Sequence, residues 1–332
     1  MEKGTEIMLR AMDSAVAGLR SHQNKMDVVG HNIANVNTFG FKAQTYTFKE
    51  AMYQTSTAST AGGKTGGVNA AQYGYGTLMG SIGMDMTAST PSYVGGFNAS
   101  IDGEGFYITR STKLAENEEQ TSTSFKKGDF DYTRVGQFQL DSNGYVTDAN
   151  GNFLYGFRVT GIDQQTGSFT YDDKLQPLRV PYINGPGNAT DLEYEFKDSE
   201  NPEDAAVAVT IEINNAGVIS ASVKYGDAGK EATRVVTLGK VAIATFQNPN
   251  GVTKGGGNYY KATDNDNTGR GLAAAPGEAG TSTLMGGFIE SSNVDLAKEF
   301  ADMITTHRGF QANSKMITVS DEMLQDLVSM KR

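Results

Sequence analysis

Few residues in this chain have the types and spacings that chemistry requires, and each candidate group falls short in an identifiable way. Gly63-Lys64-Thr65 resembles the end of a phosphate loop, but the glycine needed five residues earlier is Ala58, and no strand feeding a helix surrounds it. A flexible linker is the better reading. Asp264, Asp266, Thr268 and Gly269 imitate the opening of a calcium loop, yet position twelve, where a bidentate glutamate belongs, is Ala275. That stretch reads as a solvated acidic loop. His22, His31 and His307 would meet only if the two ends of the chain paired, and a polar residue on a helical seam more often fixes register than binds metal. Gly103-Glu104-Gly105 is half of a dinucleotide fingerprint lying between strands, and reads as a hairpin turn. No serine, histidine and acid grouping stands out, nor does a carboxylate pair in a pocket context. No catalytic, cofactor-binding or metal-binding residue is assigned, no cofactor is expected, and the chain is not expected to be an enzyme.

Composition narrows the remaining classes. A chain of 332 residues is long enough for two or three modules. Its 40 glycines, 7 prolines and absence of tryptophan suggest turn-rich β-structure. The net charge of −10 comes with scattered basic residues, which argues against nucleic acid or an anionic membrane as partner. Zero cysteines exclude disulfides, thiolate metal sites and a cysteine nucleophile. No run approaches the roughly 20 apolar residues of a membrane span, and the N-terminus does not read as a secretory signal peptide.

The elements that position everything else lie at the two ends. Met8, Met12, Ala15, Leu19, His22, Met26, Val29 and Ile33 alternate in steps of four and three, the pattern of a coiled-coil seam. Near the other end Ile289, Leu296, Phe300, Met303, Phe310, Ile317, Leu324 and Val328 fall on one such register, completed by polar Asn293, His307, Ser314 and Asp321. The termini are therefore expected to pair, the seam running through Met8, Met12, Leu19, Met26, Val29 and Ile33 against Leu296, Phe300, Met303, Phe310, Ile317 and Leu324. Ile304, Met316, Val319, Met323 and Leu327 flank the second register, and a two-helix pair cannot cover them all. Contacts with other chains are implied. The first helix ends at the turn formers Asn35, Asn37, Thr38 and Gly40, and Ser292 with Asp295 suggests a capping box for the last.

Between the ends the patterning is β. Gln54 to Gly76 is rich in Ser, Thr, Ala and Gly and reads as a mobile linker. Ser100 to Ile108 reads as strand, glycine turn and strand, and turns are expected at Asn143-Gly144 and Asn150-Gly151. Val207, Val209, Ile211 and Ile213 alternate, Asn214 to Gly217 turns, and Ile219, Ala221, Val223 and Tyr225 alternate again, which is a hairpin. The expected class is multi-domain α+β: long N- and C-terminal helices paired as a coiled coil, with mainly antiparallel β middle domains, one inserted in the other. The expected division is 1–36 with 289–332 as the coiled coil, 37–76 with 280–288 as extended linker, 77–156 with 240–279 as one β domain, and 157–239 as the inserted one.

The heptads followed by HNIANVNTFGFK, together with SNVDLAKEFADMITTHRGFQANSKMITVSDEMLQDLV, closely resemble the two ends of the bacterial flagellar rod and hook protein family. IDGEGFYI, YTRVGQFQL and ATFQNPNG agree as well, so the resemblance covers about two-thirds of the chain. His31 departs from it, standing where the family usually has asparagine. The matching motif residues are Asn32, Asn35, Asn37, Thr38, Gly40, Phe41, Asn293, Asp295, Gln311 and Asn313. The inserted β module and the NVDLAKEF and FQANSK wording are similar to the hook branch. What this implies is a structural subunit of the flagellar hook, polymerising into a curved tube that transmits torque, with a distal rod subunit as the alternative. The resemblance also implies export through the flagellar type III apparatus without a cleaved signal, and an extracellular location in the flagellum. Implied partners are copies of the chain itself, with rod, hook-cap and hook–filament junction proteins. A secreted β-rich binding module or enzyme is the alternative from another class, and would need a concave site with converging polar groups.

Overall fold

The computed structural model describes residues 2–62, 66–114, 120–121, 125–162, 169–180, 182–183, 194–195, 207–225 and 232–330. Gly63-Lys64-Thr65 lies outside the described residues. Internal contacts divide the chain into a helical unit, Met1–Val36, Ala43–Asp85 and Val294–Arg332, and a β unit, Asn37–Lys42 and Met86–Asn293. The fold is α+β, two terminal helices in contact with each other and an antiparallel β-rich middle.

In the helical unit α1 spans Glu2–Ala34 and α2 spans Leu296–Ser329. The cap of α2 is Asp295, whose carboxylate accepts from the Ala297 and Lys298 amides at 2.9 and 3.3 Å. A serine three residues earlier is not needed, since one carboxylate satisfies two orphan donors. Strand Gln44–Glu50 pairs antiparallel with Thr77–Met84, and beyond it Tyr53–Thr57 pairs with Ala71–Gly74. The stretch read as a mobile linker thus contains a paired hairpin. Its strands are exposed throughout, so they are held by backbone pairing continued from the first two strands and not by burial. The boundary between units falls at Asp85 instead of Thr77, because the strand Thr77–Met84 belongs to this hairpin.

In the β unit a 13-stranded antiparallel network carries the core among the described residues. Strand Val207–Ile213 pairs with Val218–Tyr225, opposing Ile211 to Ala221 and Ile213 to Ile219. The turn between them is closed by Asn214 Oδ1, which accepts from the Ala216 and Val218 amides, and by Gly217 at φ +72°. Among the described residues, the strands at both ends of segment 157–239 continue into the rest of the β unit. Strand Phe153–Ile162 runs across its first boundary and Ala232–Val241 across its second, and Val146, Leu154, Ile219, Val236, Ile243 and Leu284 share one buried cluster.

The stretch Ser100 to Ile108 also departs from its hairpin reading. Ala99–Asp102 pairs with Thr283–Gly286, whereas Phe106–Arg110 joins the large network. Gly103 and Gly105, at φ +125° and +132°, let the chain step from one sheet to another. Their carbonyls accept from the Arg134 guanidinium at 2.8 and 2.7 Å, which holds the step open.

Candidate assembly surface

The helix pair is antiparallel and its packed face is polar and small as much as apolar. Lys25 Nζ lies 2.9 Å from Asp302 Oδ1. Asn32 Nδ2 donates to Glu299 Oε1 at 3.1 Å. A Cβ at Gly18 would stand 2.6 Å from Asn313 Nδ2, and one at Gly309 would stand 2.6 Å from His22 Cε1. These glycines allow the two backbones to approach. On α2 the covered or half-covered positions include Glu299, Met303, Thr306, Phe310, Asn313, Ile317, Ser320 and Leu324, in steps of four and three, with Asp302, Gly309 and Leu327 half-covered beside them.

That register corrects the one read from apolar spacing. Met303, Phe310, Ile317 and Leu324 belong to both. The alternate positions are Glu299, Thr306, Asn313 and Ser320, one residue away from the Phe300, His307, Ser314 and Asp321 expected, because a close approach admits short or hydrogen-bonding side chains there. The same shift occurs on α1. Ala15 and Val29 of the expected register are buried and Met12, Leu19, Met26 and Ile33 only half-buried, whereas Gly18, Ser21, Val28 and Asn32, each one residue off it, are buried. Met8 lies in α1 with its side chain outside the described residues. Leu296 and Phe300 are exposed, together with Ile304, Met316, Val319, Met323 and Val328. The structure does not bring Leu296 and Phe300 to α1.

Asn32 is the joint of the helical unit. Besides Glu299 it exchanges two hydrogen bonds with the backbone of Gln44, donating to the carbonyl at 2.8 Å and accepting from the amide at 2.9 Å. One side chain therefore ties α1, α2 and the hairpin. Burial raises the Glu299 carboxyl above its ordinary value, and the bond from Asn32 opposes that shift. Burial, aided by Lys25, lowers the His22 imidazole. His307 is exposed.

The remaining motif residues end α1 and fasten the chain into the β unit. Asn35 Nδ2 donates to the His31 carbonyl at 2.9 Å, closing the helix, while Asn37 is exposed. The Thr38 carbonyl accepts from the Phe41 amide at 3.3 Å, and Gly40 takes φ +66°. Phe41 is buried beneath the Lys254 ammonium, 4.2 Å from its ring centre. The Asn293 amide donates to the Phe41 carbonyl at 3.4 Å. Gln311 is exposed.

Next to them is a buried charge knot that the sequence reading missed. Glu290 lies 2.8 Å from Lys42 Nζ and 2.9 Å from Arg134 Nε, and all three side chains are at most 2% exposed. Its Oε1 also accepts from the Ser89 amide at 3.1 Å, and Lys42 Nζ donates to the Thr87 carbonyl at 2.6 Å. The Gly40 amide donates to the Glu290 carbonyl at 2.9 Å. Segments 40–42, 87–89 and 290–293, where the chain enters and leaves the β unit, are lashed at this point. The signal available in sequence was a lone lysine ending GFK and a lone glutamate ending FIE, each among apolar neighbours.

The acidic loop is met by a cation from a distant segment of the chain. Lys127 Nζ donates to Thr268 Oγ1 at 2.8 Å and the Gly269 carbonyl at 2.7 Å, and lies 3.6 Å from Asp266 Oδ1. The Lys127 ammonium thus binds the buried Thr268 at the end of this loop.

Comparison with known proteins agrees with this layout. A profile described as flagella basal body rod protein matches residues 12–42, and one described as flagellar basal body rod FlgEFG protein C-terminal matches 285–330. These cover α1 from Met12 onward with the knot's Lys42, and Glu290 with α2. The flagellar basal-body rod protein FlgG of Bacillus subtilis (strain 168) is 34% identical over 327 residues, covering 98% of this chain and 100% of that protein. The chain belongs to the flagellar rod and hook axial protein family. It is a structural subunit of the flagellar axial structure, without enzymatic activity. Another family member, the hook protein FlgE of Borreliella burgdorferi, is 26% identical over 460 residues, covering 98% of this chain and 100% of itself. The rod protein FlgG of Buchnera aphidicola subsp. Baizongia pistaciae is 27% identical over 323 residues, covering 96% of this chain and 99% of itself. Because the Bacillus rod protein aligns along 98% of the chain, segment 157–239 does not separate hook from rod in this family. The hook alignment, at 460 positions, exceeds the 332 residues present here, so the hook relative contains segments this axial protein lacks.

Proposed function

We propose that this axial protein is the distal rod subunit of the flagellar basal body, a non-enzymatic building block that polymerises into a straight tube carrying torque. The observation that carries the reading is the full-length match, 34% identical, to a rod protein of nearly the same length, where the hook match needs 460 positions. The hook reading keeps support from that second match, which also spans 98% of the chain. Its partners in this reading are further copies of itself, neighbouring rod and hook proteins, and the flagellar export apparatus.

The physics of a rod subunit fits the surfaces described. A tube under torque needs side-by-side contacts that do not slip, and the apolar residues left exposed on α2 form a surface larger than isolated exposed leucines would. Burying them between copies is the main source of cohesion in this account, and Leu296 and Phe300 act there. The hairpin adds Met52, Leu78, Met79 and Ile82, all at least 45% exposed. Immunogold labelling of extracted basal bodies with antibody against the β unit tests the assignment. Gold on the straight rod is expected, and gold confined to the curved hook overturns it.

A further inference from the structure

The helical unit carries an apolar ridge and a groove of mixed polar and apolar lining that cannot meet within one molecule. The ridge is Leu296, Phe300 and Ile304, spaced four apart along α2 and 39, 50 and 61% exposed. The groove, about 340 Å³, lies between α1 and the hairpin, with Val28, Met79 and Ile82 as its apolar lining and Asn24, Asp27, His31 and Gln44 as its polar lining. It is large enough for one or two bulky apolar side chains.

The two features stand at the same level along the helix pair. The Lys25–Asp302 and Asn32–Glu299 contacts, at 2.9 and 3.1 Å, set residues 25–32 of α1 beside 299–302 of α2. Ridge and groove thus share one axial band but open on different faces. They are not copies of each other, so joining them makes a head-to-tail contact, and repetition of such a contact generates a ring or a helical filament and not a closed dimer. Charge agrees with this docking. Arg308, one turn beyond Ile304, is exposed beside the ridge, and Asp27 is exposed on the groove rim. A ridge of residues spaced four apart suits insertion into a groove running along a helix.

We infer that the occupant of the groove between α1 and the hairpin is the Phe300–Ile304 ridge of a second copy of this chain, with Arg308 of that copy paired to Asp27. This rests on the reading of the chain as a polymerising axial subunit, and names the contact through which it does so.

The absence of cysteine in the chain makes the test direct. Two full-length single-cysteine variants, Met79→Cys and Ile304→Cys, are mixed, polymerised and oxidised. The expected result is a cross-linked dimer containing one chain of each kind, formed in tubes and not in unpolymerised protein. Independently, Asp27→Arg and Arg308→Asp should each reduce tube yield at least tenfold, and the mixture of the two variants, or the doubly substituted chain, should restore it. Tubes that form without the mixed cross-link, or a double substitution no better than the single ones, would overturn the inference while leaving the axial reading intact. Failure of the unaltered chain to polymerise under any condition would overturn both. The substituted positions are exposed, so an unchanged helix signal in circular dichroism separates loss of assembly from loss of fold.

Discussion

Replacing Glu290 by alanine is the sharpest perturbation of the β unit. Lys42 and Arg134 are 1 and 2% exposed, and without Glu290 two cations stay buried with no counter-charge. Breaking a buried pair from one side typically costs about 3–5 kcal/mol. Since a domain's whole stability is about 5–15 kcal/mol, that is a fifth or more of what holds the β unit together. For a unit of this size the cost corresponds to a fall in Tm of roughly 6–20 °C. Glu290→Gln should lose less, because the amide oxygen still accepts from the Ser89 amide and from Lys42 while only the charge is gone. With no tryptophan and many buried tyrosines, near-ultraviolet circular dichroism and tyrosine fluorescence report on this unit. Unfolding should be followed at neutral pH for both variants beside the parent. A Glu290→Ala variant within about 1 kcal/mol of the parent, or one no worse than the glutamine variant, would refute the reasoning that the knot is a charge-compensated anchor for the entering and leaving segments.

Other consequences can be checked separately. Asn32→Ala leaves the Gln44 amide and Glu299 without their partner and should cost about 2–3 kcal/mol, with hydrogen exchange at the Gln44 amide accelerating while the β unit is unchanged. Gly136→Ala would place a Cβ 1.6 Å from the Ala99 carbonyl oxygen, so a loss of about 3 kcal/mol or more is expected in denaturant unfolding. The helix pair should respond to pH with two opposite slopes. The raised Glu299 carboxyl contributes stability that is complete below its unfolded pKa and is lost as pH rises through its folded value, whereas the lowered His22 imidazole removes stability as pH falls below about 6.5. Glu299→Gln should flatten the first slope and leave the second, as read by helix melting across the acid range.

Much of the architecture was legible because its signals are periodic. The four-three spacing found both helices, the alternation of Ile211, Ile213, Ile219 and Ala221 found a hairpin, and the turn glycines 40, 144, 151 and 217 take the positive φ their positions required. The seam was only half legible. Apolar spacing points to Phe300, but the face of α2 turned inward carries Glu299, Thr306, Asn313 and Ser320, with Asn313 against Gly18 of α1 and Gly309 against His22 of α1, and a one-dimensional pattern does not contain that. The Thr- and Ala-rich strands at 53–57 and 71–74 were hidden for a related reason, since backbone pairing without burial leaves no apolar trace. Glu290, Lys42 and Arg134 were missed because they are 248 and 156 residues apart along the chain and only the fold makes them neighbours. Hook and rod could not be told apart by the presence of segment 157–239, since its strands belong to the shared core.

Electron cryo-microscopy of tubes grown from the purified chain tests the central claim most directly. Straight tubes are expected in which each copy's α1–α2 pair sits side by side with the next, Phe300 and Ile304 buried between copies. Curved, supercoiled tubes, or a straight tube in which that ridge faces solvent, would contradict it.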